Sequence, residues 1–283
     1  MKKIGSIFLV LAIVCWGTIP LAAHAAAAES SPAQQYMSPG SSSSSGEAAQ
    51  PASIIGSDDR SPVYWVNLTP YNKIVFIVST FPDGQMFRGT GAIIGYDTVL
   101  TAAHLVYDQE HGGEATSVRV YLQVNGTMPS EQSGTSGYGI YYPDGYADEG
   151  DRWDDWACFH TYSDIGSTQG WFGFAVSDSF ANKLTISGYP GTVSGSSSAN
   201  YYMYTHRGYV TVNASNNRIL NYTIDTGGGQ SGSPIYSTNE IIYGVHFGGD
   251  GEPAQQNWGR RIDQTMFNIL QQYKTEGELL YGN

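Results

Sequence analysis

Gly228-Gly229-Gln230-Ser231-Gly232-Ser233-Pro234 is the stretch on which the reading of this chain turns. It sets one serine among glycines, and acyl transfer asks for such a setting on two counts. The hydroxyl has to be exposed, and N–H groups have to converge beside it. Glycine reaches positive φ and lets the backbone approach closely, so the N–H groups of Gly229 and Ser231 are placed to bind a developing oxyanion. The bland alternative is a flexible Gly/Ser loop. Pro234 and the strand-like Ile235-Tyr236 after it argue instead for a loop held in one shape.

A nucleophilic serine needs a base, and Thr101-Ala102-Ala103-His104 offers one. It follows the apolar run 92–100, read here as one strand, so His104 leaves a sheet at a turn, where a base can face a cleft. A lone histidine carries little weight, so the reading depends on partners. Asp154 and Asp155 both present a carboxylate to hold the imidazole tautomer and stabilise the imidazolium. Asp155-Trp156-Ala157-Cys158-Phe159 runs straight into an apolar strand, which half-buries Asp155, whereas Asp154 lies one residue further into a polar stretch. Asp155 is therefore the expected third member. Cys158 reads as a small buried hydrophobe, since no glycine-rich loop surrounds it.

Outward from these residues, composition bounds the rest. The chain has 283 residues, 41% hydrophobic and 13% charged, enough for one large core or two small ones packed together. With 35 Gly, 21 Tyr and only 13 Lys plus Arg, it leans towards a β-rich extracellular protein. A net charge of -12 excludes a nucleic-acid partner, which requires clustered cations. Lys2 and Lys3, the apolar run 4–14 and Ala23-His24-Ala25 read as a signal peptide over 1–25, which makes the product secreted and extracellular. That run is too short to span a membrane, and no other stretch qualifies. Beyond it, 26–52 is rich in Ala, Ser, Pro and Gln and reads as a propeptide ahead of a domain over 53–283. Cys15 falls in the signal, so Cys158 is left alone and no internal disulfide is expected. No His-x-x-x-His pair and no Ca²⁺-loop pattern occurs, so neither metal nor cofactor is expected.

Short apolar runs at 74–79, 91–94, 118–124, 156–160, 201–212 and 241–247, bounded by turn residues, read as closely spaced antiparallel strands. One helix stands out at the C-terminus. Ile262, Met266, Ile269, Leu270 and Tyr273 recur at helical spacing, and Asp263 is placed to cap them.

The triad candidates run His, Asp, Ser along the chain, the order of chymotrypsin. Thr101-Ala102-Ala103-His104, Asp155-Trp156-Ala157 and Gly229-Gln230-Ser231-Gly232-Ser233-Pro234 together resemble the glutamyl endopeptidases of Gram-positive bacteria. So do the opening Ser53-Ile54-Ile55-Gly56-Ser57-Asp58-Asp59-Arg60, Gly188-Tyr189-Pro190-Gly191, Asp225-Thr226-Gly227-Gly228, Gly244-Val245-His246-Phe247-Gly248-Gly249 and Asn257-Trp258-Gly259-Arg260-Arg261-Ile262. The resemblance implies an all-β fold of two packed antiparallel β-barrels, at about 53–165 and 166–283, with the site between them. It implies cleavage of protein or peptide substrates after glutamate, less readily after aspartate, by a chain acting as a monomer. It also implies that Thr226 and His246 hold the substrate carboxylate, with Ser53, freed by cleavage after Ala52, adding its α-amino group nearby. Gln230 stands where trypsin-like zymogens carry an aspartate for the new N-terminus, so activation here should work differently. The loop 195–200 is expected to give the site its own rim. His111, His160 and His206 are left without a role, His206 lying closest to the expected pocket. The alternatives are the same protease with another primary specificity, or a secreted non-catalytic binding module, which should have lost a triad member.

Overall fold

The structure is a computed structural model that describes residues 53–193, 200–250 and 255–282. The segments read as signal peptide and propeptide, and nearly all of the 195–200 loop, lie outside the described residues.

Six antiparallel strands close a first barrel in the order Ile74–Thr80, Met86–Ile93, Thr98–Thr101, Ala157–Thr161, Thr135–Tyr141 and Ser117–Tyr121. Alternation along the strands explains their unbroken apolar sequences. Val75, Ile77, Ile93, Val99, Ala157 and Phe159 point into the barrel. Ile74, Phe76, Ala92, Leu100 and Cys158 point outward, yet they too are buried, in a second core shared with Tyr189, Met203, Tyr236, Val245 and Met266. Side chains of successive strand residues face opposite ways, so a strand covered on both faces reads as a continuous hydrophobic run. The outward core fastens this barrel to the rest of the protein.

The second sheet runs Ser61–Val63, Met203–Gly208, Leu184–Gly188, Pro234–Tyr236, Ile241–Gly249, Asn257–Arg261, Ile219–Tyr222 and Val210–Val212, and Gly173–Phe174 joins Ile241–Gly249 in parallel. Met203–Gly208 is second in this order and Val210–Val212 last, although only Tyr209 separates them in sequence. The sheet must therefore curl until its far strands approach each other, which makes it a half-barrel.

Three sequence expectations change in detail. The run 92–100 is a hairpin: Ala92 pairs with Leu100 and Ile93 with Val99, and the Ile94 N–H donates to the Thr98 carbonyl at 2.9 Å across a turn containing Gly95 and Asp97. The run 201–212 breaks into two strands at the Gly208-Tyr209 corner. Ser61–Val63, assigned with the first barrel, pairs with Met203–Gly208 in the second sheet.

The C-terminal helix spans Gln264–Tyr281 and is capped by Asp263, whose carboxylate accepts from the Met266 N–H at 2.9 Å. Met266 and Leu270 enter the shared core. At its far end the helix lies against the first barrel, where the Tyr273 ring stacks on His160 at 4.9 Å and 14°. His160 sits 3.1 Å from Asp97 and 3.3 Å from Glu276. Burial opposes a charge on this imidazole, but the two carboxylates prevail and hold it above its usual value. His160 is thus a tie between barrel and helix.

Candidate active site

His104 lies in the 3-10 turn Ala103–Leu105, just past the strand Thr98–Thr101. Its backbone N–H donates to Asp155 Oδ1 at 3.0 Å, and its Nδ1 lies 2.6 Å from Asp155 Oδ2. A carboxylate can only accept, so Nδ1 carries the hydrogen and Nε2 presents its lone pair on the opposite edge of the ring. Burial works against charging His104, but the charge and hydrogen bond of Asp155 outweigh it and hold the imidazole above its usual value. Asp155 is fully buried rather than half-buried, directly ahead of the strand Ala157–Thr161. Its neighbour is engaged elsewhere. Asp154 meets Arg218 at 2.9 Å and Arg260 at 3.3 Å, away from His104.

The serine loop is held by both sheets. Gly229 and Gly232 have φ of +94° and +84°, where a side chain would be strained, and a Cβ at Gly232 would come within 2.0 Å of the Thr90 carbonyl. Thr90, from the strand Met86–Ile93, is the clamp from the first barrel. Its N–H donates to the Ser231 carbonyl at 2.9 Å, and its hydroxyl donates to the Gly229 carbonyl at 3.0 Å while accepting from the Tyr189 N–H at 2.9 Å. From the other side, the Gly232 N–H donates to the His246 carbonyl at 2.8 Å and the His246 N–H to the Ser233 carbonyl at 2.9 Å. Among the described residues, the Gly229 and Ser231 N–H groups donate to no protein acceptor, as an oxyanion hole requires. The Gln230 amide oxygen accepts from Arg60 at 2.9 Å and from the Gly227 N–H at 3.0 Å, and Arg60 is paired with Asp58 at 2.8 Å. A cation from the same chain therefore occupies the neighbourhood that an activating ammonium takes in trypsin-like zymogens.

His246, on the strand Ile241–Gly249, is fully buried. Its Nδ1 lies 2.7 Å from the Tyr222 hydroxyl and 3.1 Å from the Trp258 carbonyl, while its Nε2 is buried without a partner. Burial pushes this imidazole down to about 3, with the Trp258 carbonyl opposing and His104 adding to the effect. The Thr226 hydroxyl is likewise buried and unpaired. Ser53 lies beside it: the Thr226 N–H donates to the Ser53 carbonyl at 3.2 Å. Asn257 anchors Ser53 from both ends, accepting from its N–H at 2.9 Å and donating to its carbonyl at 2.7 Å.

Among the described residues, Asp59, His206 and Asp225 are the group whose side-chain ligand atoms come together as a metal would need, within 4.8 Å of one another. Asp225 and His206 already serve as acceptors for backbone N–H groups. Asp225 accepts from the Ile55 N–H at 2.8 Å and the Asp59 N–H at 2.9 Å, and His206 Nδ1 accepts from the Asp225 N–H at 2.9 Å. The trio ties the segment after Ser53 to the strand end that leads into Thr226. His111 pairs with Asp83 at 2.7 Å on an outer loop. Cys158 is buried and reduced, and burial pushes its thiol well above its usual value, so it offers no thiolate.

Sequence reading gave no role to Thr90, Arg60, Tyr222 or Asn257. Arg60 and Asn257 lie in stretches that carry the family resemblance, yet each of the four acts on the site through a partner distant in sequence.

The geometry is matched by relationship. The family model described as Trypsin covers residues 68–268. A glutamyl endopeptidase of Bacillus licheniformis is 32% identical over 80% of this chain and 70% of its own length. A Bacillus subtilis protein named extracellular metalloprotease is 28% identical over 80% of this chain and 71% of its own. Among solved structures, a Glu endopeptidase in complex with MPD superposes with a TM-score of 0.67 at 27% identity, over 78% of this chain and 99% of that one. On the family match and the first of these relatives, the chain belongs to the trypsin family of chymotrypsin-like serine proteases, and within it is similar to the glutamyl endopeptidases.

Proposed function

We propose that this serine protease is an endopeptidase that cleaves protein or peptide substrates after glutamate, less readily after aspartate, with His104, Asp155 and Ser231 as its triad. His104 Nε2 takes the Ser231 proton as Oγ attacks the scissile carbonyl. The Gly229 and Ser231 N–H groups receive the oxyanion. The imidazolium, steadied by Asp155, returns its proton to the leaving amine, and water then repeats the sequence on the acyl-enzyme.

The observation that carries glutamate selection is the pair of buried, unpaired side-chain atoms on the elements flanking Ser231: His246 Nε2 and the Thr226 hydroxyl. A buried polar atom without a partner is costly, and a ligand that reaches both of these atoms offsets that cost. A glutamate carboxylate accepts from both. Losing a hydrogen bond to a charged group costs about 1.5–3 kcal/mol, so His246→Ala is expected to lower the Glu over Gln ratio of kcat/KM about 10- to 100-fold on matched peptides. An unchanged ratio would assign the chain another primary specificity.

Export and processing belong to the same proposal. The chain is secreted by the signal 1–25, works as a monomer and matures by loss of 26–52. Ser53 is buried against Thr226 and held at its N–H and carbonyl by Asn257. An α-amino group created there brings positive charge to the glutamate carboxylate, which the uncut chain replaces with a neutral peptide bond. N-terminal sequencing of the active enzyme is expected to begin at Ser53, and the uncut form to cleave glutamyl peptides poorly. Full glutamyl activity with 26–52 attached would exclude the α-amino role.

A further inference from the structure

Tyr222 ends the strand Ile219–Tyr222 and is buried. Its hydroxyl oxygen lies 2.7 Å from His246 Nδ1 and 2.7 Å from the Trp258 carbonyl oxygen, and Nδ1 itself is 3.1 Å from that carbonyl. Three polar atoms thus share a very small number of hydrogens. The phenol has one, a neutral imidazole has one, and the carbonyl can only accept.

The neutral ring has two tautomers. In the first, the hydrogen sits on Nδ1, which donates to the Tyr222 oxygen or the Trp258 carbonyl while Tyr222 donates to Trp258, and Nε2 faces the substrate as a bare lone pair. In the second, Tyr222 donates to Nδ1, the imidazole hydrogen sits on Nε2, and the substrate meets a donor. A carboxylate is compatible only with the second. We infer that Tyr222 is a specificity-positioning residue: by turning its hydroxyl hydrogen from the Trp258 carbonyl to His246 Nδ1, it lets a neutral His246 donate from Nε2 to a substrate carboxylate. This rests on His246 being the glutamate selector.

The surroundings favour recognition by a neutral ring. His246 is fully buried, and burial holds it in the neutral form down to about pH 3. The ionisable groups acting on it are few. Tyr222 comes from the strand Ile219–Tyr222, one place beyond Asn257–Arg261 in the sheet, and His104, of like charge when protonated, from the first barrel. On the adjacent strand Asn257–Arg261, Arg260 is turned to Asp154 and Asp263, and Arg261 to Asp178. On the other adjacent strand, Pro234–Tyr236, the Tyr236 hydroxyl lies 2.9 Å from the Ser187 hydroxyl. No carboxylate of the described residues pairs with His246 to help charge it. The contribution of His246 to glutamate recognition therefore needs no proton from solvent, provided the tyrosine hydroxyl is present.

Removing that hydroxyl changes the rule. In Tyr222→Phe the remaining partner of Nδ1 is the Trp258 carbonyl, which forces the hydrogen onto Nδ1 and leaves Nε2 bare. A carboxylate then binds well only to the imidazolium, so glutamyl cleavage acquires a proton requirement. Glutamine, whose amide N–H can donate to the bare Nε2, loses nothing. Because both substrates use the same triad, the Glu over Gln ratio of kcat/KM cancels the titration of His104; the titration of the Ser53 α-amino group is shared by wild type and Tyr222→Phe, so the two are compared at each pH.

The test measures that ratio from pH 5 to 9 for the processed wild type, Tyr222→Phe and His246→Ala. The wild-type ratio is expected to stay level from pH 5 to about 7 and to fall above that only as the Ser53 α-amino group, ordinarily about 7.7–8.0, loses its proton. The Tyr222→Phe ratio is expected to lie about 10- to 100-fold below wild type at neutral and alkaline pH and to recover only at the acid end of the range, because burial holds the imidazole neutral down to about pH 3. Its glutamine activity confirms the fold. A Tyr222→Phe ratio equal to wild type across the range would overturn the inference. A ratio unmoved in His246→Ala would instead remove the selector on which it rests. A second measurement needs no variant: imidazole ¹⁵N shifts of wild type with an N-acetylglutamate-terminated product should place the His246 hydrogen on Nε2, and a bare Nε2 in that complex would overturn the inference.

Discussion

Ser231→Ala is expected to lower kcat by a factor on the order of 10⁶ while leaving the protein folded, the loss seen when a serine protease is deprived of its nucleophile. The substitution removes one oxygen from a loop whose shape is set by other atoms. Thr90 holds the Ser231 carbonyl and the Gly229 carbonyl, and the His246 backbone holds Gly232 and Ser233. Those bonds survive in alanine, so the melting temperature should move little. The residual rate comes from the oxyanion N–H groups and substrate binding, which alanine leaves intact. Labelling with a fluorophosphonate checks the same point by a second route: one label per wild-type chain, none on the variant. A variant retaining peptidase activity near wild type would remove Ser231 from the mechanism.

Why some of this site could be read from sequence and some could not has a physical explanation. Ser231 and His104 stand out because their chemistry imposes local neighbours: glycines able to reach φ of +94° and +84° around the serine, and a strand end before the histidine. The C-terminal helix is legible for the same reason, since its period and its Asp263 cap both lie within a few residues. Tertiary contacts leave no such trace. Thr90 reaches Gly229 across 139 residues and Asn257 reaches Ser53 across 204, so neither role leaves a local pattern. Arg60 reaches Gln230 across 170. The hairpin within 92–100 was hidden because both of its strands are covered on both faces, so its hydrophobicity does not alternate. Only the Gly95 and Asp97 turn residues interrupt it.

Asp155→Asn is expected to lower kcat by about 10⁴, and Asp154→Asn to cost far less activity. The two carboxylates are adjacent in sequence and divided by burial. Asp155 is fully buried and accepts twice from His104, at its backbone N–H and at Nδ1. In asparagine the side-chain nitrogen, turned to Nδ1, would donate to it, drive the imidazole hydrogen to Nε2 and abolish the lone pair that must take the Ser231 proton. The loss should appear in kcat more than in KM, because Asp155 meets His104 and not the substrate. It should shrink as pH rises, when hydroxide can replace the disabled base. Asp154 has a different task, joining Arg218 and Arg260 and so linking the turn Arg152–Asp154 to the second sheet. Its neutralisation should therefore show in thermal stability, by about 1 kcal/mol or less for pairs that are partly solvated. Kinetics and melting curves on the two variants read the assignment directly: if Asp154→Asn proved the inactive one, the carboxylate partner of His104 would be the wrong neighbour.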